Sequence, residues 1–169
     1  PIDSPRFESV SSADGWIEDL EPVILLDHQG EARAYPLQIL TWHEIVNDVI
    51  GGDPVAVTFC PLCNTALVLR RPTINEEVLT FGTSGNLRNS DLVMWDRQTQ
   101  SWWQQFTGEA IVGDLTGTRL EPLSAAIISW ADFKKGHPQG QVLSIKTGFN
   151  RSYGRNPYAG YDNVNNLPF

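Results

Sequence analysis

The sequence predicts an α+β fold: a single domain, mainly antiparallel β, with one long helix over residues 37–50 and a few short helices. Three observations predict it. Short apolar runs rich in Val, Ile and Leu recur along the chain, punctuated by Gly, Pro and Asn. One stretch alone carries long helical spacing, with Ile39, Trp42, Ile45, Val46, Val49 and Ile50 on a common face. Helical patterns between strands are too few for a parallel, doubly wound sheet.

Residues 1–20 are polar and without a clear period, so they read as an N-terminal arm or loop, and residues 21–169 as the domain. Residues 22–27 form an apolar run with β-branched content. His28-Gln29-Gly30 turns the chain, and residues 31–35 return in alternation, which predicts a hairpin. Pro36 opens the helix near its first turn, where a missing N–H costs nothing, and Gly51-Gly52 stops it. Strands are expected at 54–59, 65–70, 78–82, 92–96 and 102–112, with Arg97-Gln98-Thr99-Gln100 as a further hairpin turn. Residues 120–128 fit either state. A short helix over 130–135, a last strand over 142–146 and a tail rich in Tyr, Asn, Gly and Pro from Asn150 complete the chain.

At 169 residues the chain is long enough to bury a core without a disulfide scaffold. Twelve basic residues face twenty acidic ones, a formal charge of −8 that repels phosphate backbones, so nucleic acid is excluded as a partner. Lys134-Lys135-Gly136-His137 reads as a solvated helix end. No apolar run approaches the ~20 residues of a membrane span, so no integral membrane segment is expected. Pro1 is not an initiator methionine, which makes a removed upstream segment, such as a secretion signal, part of the expectation.

Chemistry concentrates at Cys60-Pro61-Leu62-Cys63, which holds the only two cysteines. Such a pair can exchange disulfides, bind a metal or close a structural disulfide. Exchange catalysis calls for the first Cys at a helix N-terminus, whereas residues 66–71 alternate like a strand. A metal needs a third ligand. His28 and His137 sit in turns, but His43 lies at the flank of the buried helical stripe, where it either caps a carbonyl or completes a site. Two thiolates and an imidazole suit Cu(I) or Zn(II), so a copper ion is the first expectation, serving oxidation or metal handling, and zinc the alternative. Met94 is the sole methionine and alternates with Leu92, a pattern of core packing that would still allow a fourth soft ligand. The nucleobase deaminase pattern fails, because Glu44 is adjacent to His43 instead of two residues away and no Pro precedes Cys60. Phe81-Gly82-Thr83-Ser84-Gly85-Asn86 lacks phosphate-loop and nucleophile-elbow spacing and reads as a turn between strands. Asp91 and Asp96 flank Met94 without the pairing expected of acid–base carboxylates.

Several blocks co-occur: Trp42-His43-Glu44-Ile45-Val46-Asn47-Asp48, Cys60-Pro61-Leu62-Cys63-Asn64, Phe81-Gly82 with Ser84-Gly85, Ser90-Asp91-Leu92-Val93-Met94-Trp95-Asp96-Arg97, Ser101-Trp102-Trp103-Gln104-Gln105 and Asn156-Pro157-Tyr158. From about residue 20 onward they resemble the prokaryotic family known as domain of unknown function 3179. The resemblance implies an exported protein, periplasmic or extracellular, or a lipoprotein anchored through a segment upstream of Pro1. It also implies that His43, Cys60, Cys63, Met94 and Trp102 share one site. In an exported protein a Cys60–Cys63 disulfide competes with a metal. Three functions therefore stand: a copper-type metal protein using His43, Cys60 and Cys63, a thiol–disulfide oxidoreductase or redox sensor, and a non-catalytic binding module braced by a disulfide. The substrate, small molecule or protein, is not legible.

Overall fold

The computed structural model describes residues 1–160, 163 and 165, so part of the tail expected from Asn150 lies outside the described residues. The fold is mostly β, with 44% strand against 11% helix, and this overturns the α+β expectation. In chain order the elements are β1 (Phe7–Ser9), α1 (Val10–Ala13), β2 (Pro22–His28), β3 (Glu31–Pro36), α2 (Leu37–His43), β4 (Ile45–Ile50), β5 (Asp53–Cys60) and β6 (Thr65–Arg70). Then follow β7 (Thr73–Ile74), β8 (Glu77–Val78), β9 (Phe81–Arg88), β10 (Asp91–Asp96), β11 (Trp102–Gln104), β12 (Glu109–Val112), β13 (Pro122–Leu123), β14 (Ala126–Ser129), α3 (Trp130–Gly136) and β15 (Gln141–Leu143). They assemble into a five-stranded sheet β1-β15-β3-β2-β14, a central sheet β13-β6-β5-β4, a four-stranded sheet β12-β11-β10-β9 and the small pair β7-β8.

The long helix over 37–50 does not exist. α2 stops at His43, where Glu44 adopts φ 59° and its N–H closes on the Leu40 carbonyl at 2.7 Å. The Glu44 carbonyl then accepts from the Phe59 N–H at 2.8 Å, and β4 pairs with β5 from Ile45 opposite Thr58 to Ile50 opposite Asp53. Ile45, Val46, Val49 and Ile50 are β-branched, stiff at χ1 and suited to a pleated surface. Apolar side chains on both faces of β4 abolish simple alternation, so apolar residues at i, i+1, i+4 and i+5 imitate a helical stripe. Gly51 and Gly52, with φ 56° and 84°, form the two-residue hairpin turn between β4 and β5.

Smaller differences have similar causes. The run 102–112 is the hairpin β11–β12, and 120–128 divides into β13 and β14. Residues 1–20 supply β1, which pairs with β15, while Ile2 bridges to Val46. The expected hairpin β2–β3 is present, in register from Val23 opposite Pro36 to His28 opposite Glu31.

Strand parity organises the layers. On the central sheet Val46, Ile50, Val55, Val57, Phe59 and Val68 face one way, into a cluster with Ile24, Leu26, Tyr35 and the α2 residues Leu37, Ile39 and Leu40. The alternate residues Ile45, Ala56, Cys60 and Leu69 face the other way, into a second cluster with Phe81, Leu92, Met94 and Trp103. On the five-stranded sheet Val23, Ala34 and Val142 face outward onto Trp130 and Phe133 of α3. Cys60 thus belongs to the layer between the central sheet and the β9–β12 sheet. Each fully buried large side chain there contributes roughly 1.5–3 kcal/mol.

Polar clasps hold the layers in register. The Asn47 amide of β4 donates to the Phe81 carbonyl and accepts from the Phe81 N–H, both at 2.9 Å, tying the central sheet to β9. Asp48 faces the other way and accepts from Tyr35 Oη at 2.7 Å and Arg33 at 2.6 Å. Among the described residues no helix is long and apolar enough to cross a membrane.

Candidate metal centre

β5 delivers Cys60 and β6 begins at Thr65, paired directly opposite it. Between them Pro61-Leu62-Cys63-Asn64 forms a tight turn, with Asn64 at φ 50°, a left-handed conformation that Asn tolerates. The turn folds Cys63 back over the strand end, its Sγ 3.9 Å from the Cys60 carbonyl oxygen. A second hairpin end meets this one. Asn89 and Ser90, both at positive φ, turn β9 into β10, and the Ser90 carbonyl lies 3.8 Å from Cys60 Sγ. Asp91 follows, 5% exposed; its Oδ1 accepts from the Cys63 thiol at 3.4 Å and its Oδ2 from the Phe106 N–H at 3.0 Å.

Cys60 Sγ, Cys63 Sγ and an Asp91 carboxylate oxygen all lie within 4.8 Å of one another. Donors around one zinc ion sit about 3–4 Å apart, given Zn–S bonds of about 2.3 Å, so small side-chain adjustments would close the set. Both cysteines are free thiols. Burial, and then the hydrogen bond with the Cys60 thiol, pushes the Cys63 thiol up to about 12. A neutral thiol is a poor nucleophile. A cation between the three groups would reverse that balance by favouring their anionic forms.

His43 is not one of the three grouped residues. Its side chain is buried, and Nε2 meets Tyr153 Oη at 2.7 Å, which in turn meets Thr147 Oγ1 at 2.6 Å. The Phe149 and Tyr153 rings flank it at 5.2 and 5.8 Å. His28 pairs with Asp53 at 2.6 Å across two hairpin tips, and His137 caps α3 beside Phe133. Among the described residues, then, no imidazole belongs to the thiol group. Met94 is fully buried in the same apolar cluster as Cys60, whereas Trp102 lies on the face of β11 opposite Trp103 and is part-exposed. Of the five residues implied to share a site, the fold brings together Cys60, Cys63 and, in their packing layer, Met94.

Asp91 is the residue the sequence reading passed over. Its partner Cys63 is 28 positions away, so no local spacing reveals it. The available signal was its place after the Asn89-Ser90 turn at the head of a strand block. Asp96 is structural by contrast, accepting from Trp103 Nε1 at 2.8 Å and from the Thr99 N–H at 2.6 Å.

His43 predicts a pH dependence. Burial first, and then neighbouring positive charge, lowers it from the usual 6.5 to about 4. Between those values the unfolded chain takes up a proton that the folded chain refuses, so stability falls as pH drops from about 6.5 towards 4. Thermal melts at pH 7 and pH 4.5 should show a smaller drop for His43→Gln than for the wild type. Parallel losses in the two proteins would remove His43 as the cause.

The fold and the site define a mostly β protein whose central sheet meets a second sheet at a group of two thiols and one carboxylate, of which the Cys63 thiol is half-buried. Within that class the chain belongs to the family described as Protein of unknown function (DUF3179), which it matches over residues 1–169, its whole length. Comparisons with curated proteins and with solved structures found no match.

Proposed function

We propose that this protein binds a single divalent transition-metal ion through Cys60, Cys63 and Asp91. The observation that carries the reading is the convergence of three ionisable donor atoms within 4.8 Å, supplied by two hairpin ends from different sheets. Two thiolates alone suit Cu(I) as well as Zn(II); the harder carboxylate oxygen moves the preference to zinc, with copper as the competing ion. Three protein ligands leave a fourth position for water or substrate, the pattern of catalytic zinc sites, where the ion acts as a Lewis acid or activates water. Export is part of the proposal on the strength of the family resemblance alone.

Protein purified under reducing conditions and loaded with zinc should retain about one zinc per chain, and Cys60→Ser should retain little. Sub-stoichiometric metal in the wild type sinks the reading. A second reading rests on the two free sulfurs: in an oxidising compartment Cys60 and Cys63 can close a disulfide. A reduction potential near those of exchange catalysts would favour a redox function, and one below about −300 mV a static brace.

A further inference from the structure

Among the described residues, one buried polar atom near the end of β5 that carries Cys60 has no partner. Gln105 is fully buried, and its Nε2 donates to Thr58 Oγ1 at 2.9 Å and to the Thr65 carbonyl at 3.2 Å. Thr58 lies two residues before Cys60 on the same face of β5, and Thr65 stands directly opposite Cys60. The next residue, Phe106, gives its N–H to Asp91. The Gln105 amide is therefore held between the strand carrying Cys60 and the chain that anchors Asp91. Thr58 Oγ1 donates to the Leu67 carbonyl at 2.8 Å and so acts as acceptor towards Gln105, which fixes Nε2 on that side of the amide. Oε1 points away from those two contacts and, among the described residues, meets no donor. A buried carbonyl oxygen without a donor is costly unless a bound molecule supplies one.

We infer that Gln105 is a ligand-positioning residue whose Oε1 accepts a hydrogen bond from the hydroxylic group, water or a substrate O–H, that completes the coordination begun by Cys60, Cys63 and Asp91. The inference rests on the metal reading above and deepens it. The ligand class is an oxygen donor bearing a proton; an anion that only accepts hydrogen bonds is disfavoured at the same position. Ser101, Trp103 and Gln105 alternate on one buried face, and Trp103 packs in the Cys60 cluster, so the strand itself aims Gln105 towards this layer.

Cobalt(II) replaces zinc as the probe, with azide as the competing anion. Wild-type protein should give a thiolate-to-cobalt charge-transfer band and visible bands that azide perturbs. In Gln105→Leu and the longer, unbranched Gln105→Met, azide should bind about tenfold more tightly, the equivalent of one lost hydrogen bond to the displaced water. Cobalt affinity should fall by no more than the roughly 10- to 100-fold of a group that only supports a ligand, while azide affinity rises, a gain that a merely structural role would not predict. Unchanged azide affinity in a variant that folds and keeps the charge-transfer band overturns the role of Gln105 and leaves the metal reading intact. A wild-type spectrum indifferent to azide also overturns it, independently of either variant. Absence of the charge-transfer band in the wild type removes the metal reading and the inference together.

Discussion

Asp91→Asn is expected to weaken zinc binding about a hundredfold or more, while His43→Gln leaves it within about twofold. The asparagine keeps the shape of the side chain and an oxygen for the Phe106 N–H, so the loss isolates the anionic ligand. Changes to groups that only support a ligand already cost about 10- to 100-fold in metal affinity, and loss of a ligand should exceed that range. His43 is engaged by Tyr153 and lies outside the donor group, so its replacement should act on stability alone. Competition titrations against a chromogenic chelator resolve both values. A large effect of His43→Gln with none from Asp91→Asn would restore the ligand set read from the sequence and refute the one built here.

Asn47→Ala should lower stability by about 3 kcal/mol, with a melting point roughly 10 °C lower for a chain of this size. The alanine strands both the N–H and the carbonyl of Phe81 in a buried position. Those two groups are the clasp between the central sheet, which carries Cys60, and β9, whose hairpin partner carries Asp91. Metal affinity should therefore fall as well, even well below the melting temperature. Val49→Ala on the same strand, at a half-exposed position, should stay within about 0.5 kcal/mol of the wild type. Equal melting points for the two variants would show that the clasp does not hold the sheets.

What could be read in advance follows from how local the signal is. The hairpin β2–β3 announces itself through one turn and two short runs, and β5 and β6 through apolar runs flanking the cysteines. β4 reads as a helix in the sequence because apolar residues lie on both its faces, so Ile45, Val46, Val49 and Ile50 mimic helical spacing. The deciding facts, Glu44 at φ 59° and pairing with β5, are tertiary. The Cys60–Cys63 pair was legible because two residues separate its members. Asp91 was not, because it reaches the pair only when the β9–β10 hairpin packs onto the central sheet, and Gln105 was not, because its contact with Thr58 depends on the same packing.

X-ray absorption at the metal edge of zinc-loaded, reduced protein is the most direct measurement of the central claim. Cys60, Cys63 and Asp91 around one ion predict two sulfur scatterers at about 2.3 Å, oxygen scatterers at about 2.0–2.2 Å and no imidazole outer-shell pattern. A shell without sulfur, or one sulfur pair accompanied by imidazole, would contradict it.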